Sequence, residues 1–137
     1  MEFMIWKIWG ESGIPQVDAL VTEGEAAMGA DDFETAEQRF DAAIQERPDF
    51  AEAWNKRATL HYLAGQYQKS LDDIQKVLEL EPRHFGALSG LGLVNLALSR
   101  DAAARDAFER VLVLYPANQA ARFNLQEIEK RLRENEI

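Results

Sequence analysis

Three prolines, Pro48, Pro82 and Pro116, stand 34 residues apart along the chain. Each follows an apolar pattern of helical period, at a place where a residue without a backbone N–H ends a helix at little cost. A sequence period of about 20 to 50 residues marks a chain built from stacked copies of one structural unit. We therefore predict three repeats, over residues 17–50, 51–84 and 85–118.

Small and large side chains recur at fixed positions when the proline of each repeat is numbered 32. Position 4 holds Leu20, Trp54 and Leu88; position 8 holds Gly24, Ala58 and Gly92; position 20 holds Ala36, Ser70 and Ala104; position 24 holds Phe40, Ile74 and Phe108. Two antiparallel helices can approach closely at small residues while bulky ones fill the space beside the contact. Each repeat is therefore predicted to be a helical hairpin.

This pattern resembles the tetratricopeptide repeat (TPR) family over residues 17–118, and the second repeat, AEAWNKRATLHYLAGQYQKSLDDIQKVLELEPRH, is the best match. The resemblance implies an all-α fold, a right-handed α-solenoid of three helix-turn-helix hairpins. The ends of such a stack need polar covers. Residues 119–137 interleave apolar and charged side chains, and we predict that they form a C-terminal capping helix.

The resemblance also implies which residues line the inner surface, because TPR proteins hold a peptide or helix against positions 2, 5, 9, 12 and 13 of each repeat. We call these the groove positions. Our candidates there are Glu25, Met28, Glu52, Asn55, Thr59, Tyr62, Leu63, Ser89, Leu93, Leu96 and Phe123. The alternative for Tyr62, Leu93 and Leu96 is that they pack against the next helix.

The charge of the groove is predicted to be uneven, since residues 14–48 carry nine acidic side chains against Arg39 and Arg47. Apolar contact would supply affinity and charge would supply orientation. We therefore expect a non-catalytic adaptor for a protein or peptide partner of basic, amphipathic character.

One TPR subset grips the C-terminal carboxylate of heat-shock chaperones with a clamp of Lys, Asn and Arg side chains. This chain departs from that pattern in both registers that can be aligned. The matching positions hold Val21, Glu25, Lys56, Gly86 and Gly90, or, one repeat further on, Asn55, Thr59, Gly90, Ala120 and Asn124. We do not expect a binder of chaperone tails.

Position 7 departs from the family's usual buried leucine in two repeats, where it is Glu23 and Arg57. We predict that these two residues form an ion pair between adjacent helices, because a buried charge is tolerated only when it is paired. The alternative is that Arg57, with His61 beside it, is presented to a carboxylate of the partner.

The N-terminal segment, residues 1–16, carries Trp6 and Trp9 outside the repeats. Three interpretations stay open: a cap over the first repeat, an arm that docks on another copy, or an anchor for a membrane surface or partner. As an alternative function, the arm or the groove would mediate homo-oligomerisation and make the chain a self-assembling structural scaffold. We expect a monomer or weak homodimer in solution. Met1-Glu2-Phe3 also matches the product of a common cloning site, so we expect that part of this segment is vector-derived.

Several function classes are not expected from the composition. The net charge of -9 disfavours nucleic acid, which is bound mainly through Lys and Arg. The two histidines are separate, cysteine is absent, and no glycine-rich phosphate loop occurs, so we predict no enzyme and no cofactor or metal. No apolar run reaches the length of a membrane span. The compartment stays open: the cytoplasm is slightly favoured over a periplasmic or organellar location.

Overall fold

A computed structural model describes residues 11–135, and this part of the chain contains seven α-helices and no strand. The helices are α1 (Pro15–Gly29), α2 (Phe33–Glu46), α3 (Ala51–Leu63), α4 (Tyr67–Leu80), α5 (Phe85–Ala97), α6 (Asp101–Leu114) and α7 (Gln119–Asn135). The predicted all-α fold is therefore confirmed. None of these helices is long and apolar enough to cross a membrane.

Each of the three prolines lies two residues beyond the end of a helix, after α2, α4 and α6. The carbonyl groups of two of them are also used by the helix that follows. Trp54 Nε1 donates a hydrogen bond of 2.9 Å to the Pro48 carbonyl, and Arg122 Nη2 donates one of 2.6 Å to the Pro116 carbonyl. The proline turns thus end one helix and fix the start of the next.

The described residues divide into two compact units, with the boundary between Pro82 and Arg83. In the first unit α1 packs on α2, α2 on α3, and α3 on α4. Its core contains two clusters of buried apolar side chains. One consists of Val17, Val21, Ala43, Ile44, Phe50 and Ala53, and the other of Ala36, Phe40 and Leu60.

The second unit packs α5 on α6 and α6 on α7. Its turn after α6 is held by Tyr115, whose hydroxyl donates a hydrogen bond of 3.0 Å to the Arg83 carbonyl and whose ring meets Phe85 edge to face. Arg131 of α7 reaches Asp101 of α6 at 2.6 Å. The last helix is therefore fixed to its neighbour by an ion pair as well as by buried Ala121 and Ile128.

The two helices of a hairpin approach most closely where a glycine of the first faces a phenylalanine of the second. A Cβ atom added to Gly24 would lie within 3 Å of the Phe40 ring, and one added to Gly92 would lie equally close to Phe108. Both rings are buried. In the middle hairpin the corresponding residues are Ala58 and Ile74, where a methyl group is matched by a smaller partner.

Gly24→Ala should lower the free energy of unfolding by about 1 to 3 kcal/mol, because the added methyl group displaces the Phe40 ring from a filled core. Gly29→Ala on the same helix is the matched control, since nothing lies within 4 Å of its Cβ position. That change should be neutral or stabilising by up to about 1 kcal/mol. Urea unfolding of the two variants measures both values, and equal midpoints would contradict the packing argument.

Candidate functional site

The groove-position candidates fall on the first helix of each hairpin and on α7. Glu25 and Met28 lie on α1, and five others, from Glu52 to Leu63, lie on α3. Ser89, Leu93 and Leu96 lie on α5, and Phe123 lies on α7. None of the eleven is fully buried. The side chains singled out by repeat position are therefore accessible to solvent in the unit that carries them.

Large apolar side chains are exposed mainly at these positions. Four are exposed in the described part of the chain: Leu63 at 54%, Leu93 at 37%, Phe123 at 62% and Val113 at 79%. Three of the four are groove-position candidates, and only Val113, on α6, is not. Leu93 is the least exposed of the four.

Two other candidates are partly used in packing. Met28 lies against the cluster of Ala36, Phe40 and Leu60. The Tyr62 ring is 5.8 Å from the Tyr67 ring across the turn between α3 and α4. Both side chains keep some exposed surface, so a substitution there would change packing and accessible surface together.

A pocket of about 380 Å³ lies on the first unit where the N-terminal part of α1 faces α3. It is lined by Glu11, Asp18, Val21, Thr22, Glu25, Glu52 and Lys56. Four of these residues are acidic and one is basic. The pocket is therefore strongly acidic, at the end of the chain where the sequence predicted acidity.

Lys56 is the cation of this pocket. Its Nζ lies 2.9 Å from Glu25 Oε1 and 3.6 Å from Glu52 Oε1. Burial alone would lower the pKa of Lys56, but the hydrogen bond with Glu25 and the charge of Glu52 raise it above its usual value. Lys56 was not a groove candidate, although its spacing of four residues from Glu52 is a detectable signal for an ion pair on a helix.

Asp18 is held in place from outside its own helix. The backbone N–H and the hydroxyl of Ser12 both donate to Asp18 Oδ1, each at 2.8 Å. The Ser12 hydroxyl also accepts from the N–H of Ile14. These neutral donors fix the carboxylate at the mouth of the pocket without compensating its charge.

The ion pair predicted between Glu23 and Arg57 is wrong, since the structure gives each residue another partner. Arg57 donates to both oxygens of Asp73, at 2.8 and 3.0 Å, and to Asp41 at 2.8 Å. Glu23 instead pairs with Arg39 at 3.0 Å. Arg57 is therefore occupied by carboxylates of its own chain.

The physical reason lies in the hairpin crossing. Glu23 and Arg39 are 16 residues apart, and so are Arg57 and Asp73. Position 7 precedes the small residue at position 8, and position 23 precedes the bulky residue at position 24. Positions 8 and 24 meet where the two helices of a hairpin cross, so a charge at position 7 meets its own hairpin first. The same two positions carry opposite charges in opposite order in the first two repeats.

His61 completes the cluster around Asp73. Its Nδ1 lies 2.9 Å from Asp73 Oδ2 and its Nε2 lies 3.4 Å from Glu37 Oε2. The first distance is that of a hydrogen bond, although within the described residues the buried Nδ1 has no well-aligned partner. Burial alone would raise the pKa of Asp73, but the contacts with His61 and Arg57 hold it below its usual value.

Asp73→Asn should lower the free energy of unfolding by about 3 kcal/mol, since it leaves Arg57 half-buried with one carboxylate fewer. Asp72→Asn is the matched control. Asp72 is the exposed neighbour of Asp73 on α4, and among the described residues it bonds only Gln68. That change should stay within about 0.5 kcal/mol. Chemical unfolding at neutral pH compares them, and similar values would show that the buried cluster contributes little.

The contribution of Asp73 should also depend on pH. Its pKa is lowered by folding from an ordinary value of 3.8, so the folded state holds fewer protons than the unfolded state near that pH. The stability that Asp73 contributes relative to Asp73→Asn should be present above pH 3.8 and should shrink as the pH falls through the lower folded value. A difference that stays the same as the pH falls below 3.8 would contradict this assignment.

Two further features of the sequence concern the N-terminal segment and metal binding. Trp6 and Trp9 lie outside the described residues. Within residues 11–135, no group of three or more His, Asp or Glu side chains is arranged to hold a metal ion.

Comparison with known proteins shows which family this chain is similar to. The tetratricopeptide repeat profile matches residues 21–78 and 57–119. A TPR repeat-containing protein of Rhizobium etli is 38% identical over 127 residues, which are 93% of this chain and 62% of that relative. This chain thus spans less than two thirds of the length of the relative.

Solved structures share the fold. The Sgt2 TPR domain of Aspergillus fumigatus superimposes with a TM-score of 0.83 at 23% identity, covering 90% of this chain and 83% of that domain. The first TPR domain of Spaghetti (RPAP3), bound to the HSP90 peptide SRMEEVD, gives 0.82 at 21% identity over 85% of this chain and 93% of that one. Together with the profile, which spans more than half of the sequence, they confirm the prediction: this chain belongs to the tetratricopeptide repeat family.

Proposed function

We propose that this chain is a non-catalytic adaptor that binds a peptide or helical segment of another protein through its groove positions. The observation that carries this proposal is the exposure of Leu63, Leu93 and Phe123. Each is a large apolar side chain at a position that TPR proteins use for binding. Covering such surface is favourable by about 25 cal/mol per Å².

The family supports the same class of function. Tetratricopeptide repeats are typically protein-interaction modules, and the structural relative RPAP3 holds a peptide. TPR domains host many different assemblies, so the fold argues for binding without choosing the ligand. The ligand must be argued from the side chains of this chain.

An acidic chaperone tail is not the proposed ligand. In the first of the two registers, the clamp positions of the first unit hold Val21, Glu25 and Lys56; Val21 is buried in the core, and Glu25 is acidic. Lys56, the remaining one, is already paired with Glu25 and Glu52. A peptide such as SRMEEVD would have to replace these carboxylates and approach others.

The test is a selection of short random peptides on the intact chain, followed by fluorescence anisotropy with variants. The double variant Leu93→Ser with Phe123→Ser should bind a selected peptide at least about tenfold more weakly, because it removes two exposed apolar anchors. Its melting temperature should change little, since both side chains are exposed.

Val113→Ser is the matched control, because it removes an even more exposed apolar side chain from α6. It should leave the affinity unchanged. Equal losses in both variants would place binding elsewhere. Loss of binding only through unfolding of the double variant would mean that Leu93 and Phe123 are packing residues, and either result would overturn the proposal.

A further inference from the structure

We infer that the pocket between α1 and α3 receives a lysine or arginine side chain of the bound partner, which is therefore a basic peptide segment. This inference rests on the proposed function and adds the chemistry of the ligand. It concerns the first unit alone.

The pocket is formed by facing sides of two helices. Val21 and Thr22 lie three and four residues after Asp18, and Glu25 lies four and three residues after them, so the four residues share one side of α1. Glu52 and Lys56 share the facing side of α3. The side chains thus surround a space of about 380 Å³, large enough for one long side chain of a partner.

The charges of the pocket do not balance. Lys56 contacts two of the four carboxylates, those of Glu25 and Glu52. In residues 11–135 no basic side chain pairs with Glu11 or Asp18, and Asp18 is held only by the neutral Ser12. A cation brought by a partner would therefore meet preplaced acceptors whose charge is uncompensated by the described part of the chain.

The pocket also suits the shape of a long basic side chain. Val21 is only 6% exposed and belongs to the apolar core, so it gives the pocket an uncharged floor. Lysine and arginine place their methylene stems on apolar surface and keep the charged end among polar groups. A sodium ion would contact the carboxylates but would gain nothing from the apolar surface of Val21.

The net charge of the unit that contains the pocket also favours a basic partner. Residues 11–82 carry sixteen acidic side chains and six basic ones, a net charge of -10, whereas residues 83–135 carry six acidic and eight basic ones, a net charge of +2. An imbalance of this size steers oppositely charged ligands toward one surface and repels like charge. The pocket lies in the acidic unit.

The probe is a synthetic amphipathic peptide with leucines at helical spacing and lysines elsewhere. Two copies carry glutamine or glutamate in place of every lysine. Fluorescence anisotropy with the intact chain should give the tightest binding for the lysine peptide and the weakest for the glutamate peptide, with the preference reduced by salt.

The pocket is tested with Asp18→Asn together with Glu25→Gln. The matched control is Glu34→Gln together with Glu46→Gln, which removes the same charge from exposed positions of α2. The first pair should weaken binding of the lysine peptide by about tenfold, and the second by less than about twofold, because the effect is local rather than a consequence of net charge. Equal losses of affinity in the two double variants would overturn the proposal that this pocket binds the basic side chain.

Failure of this inference is distinguishable from failure of the proposed function. If the lysine and glutamine peptides bind equally, and Leu93→Ser with Phe123→Ser weakens both, peptide binding stands and the cationic ligand is wrong. If none of the three peptides binds, the cationic ligand is also wrong. The proposed function is then tested only by the peptides selected from the random library.

Two other occupants would be recognised in the same experiments. Binding of the lysine peptide only after removal of residues 1–10 would mean that the chain's own N-terminal segment holds the pocket. A dimer detected by light scattering, and dissolved by Asp18→Asn with Glu25→Gln, would mean that a second copy does. Either result would overturn the assignment to a basic partner.

Discussion

The close approach of two antiparallel helices within each hairpin is the constraint on which most of this structure depends. Phe40 lies over Gly24 and Phe108 over Gly92, and no side chain larger than hydrogen fits beneath either ring. In the middle hairpin, Ser70 bonds the Ala58 carbonyl at 2.7 Å across the same crossing. The crossing decides which faces of the helices are buried and, as a result, which remain available for a partner.

The fold could be predicted from the sequence because its strongest signals are local. A proline after a helix and a glycine facing an aromatic ring act within one hairpin, and their regular spacing makes them visible in the printed chain. The exposed apolar side chains at Leu63, Leu93 and Phe123 also lie at positions implied by the resemblance to the TPR family.

The partners of charged residues could not be predicted in the same way. Arg57 was assigned to Glu23 because both occupy position 7, but charge pairing depends on which helix faces are in contact, and Asp73 is nearer. A usable signal was present: Asp73 lies three residues after Ser70 and four before Val77, on the face of α4 that is buried. A carboxylate on a buried face needs a cation, and Arg57 is the one that reaches it.

The pairing of positions 8 and 24 has a consequence for how such a chain can change by recombination. Exchange at the proline turns moves Gly24 with Phe40, or Ala58 with Ile74, as a set. Exchange in the turn between two helices of a hairpin would separate them. A hybrid that joins Ala58 to Phe108 would have overlapping atoms, and one that joins Gly24 to Ile74 would contain a void. Viable crossovers should therefore accumulate between the repeats and be rare within them.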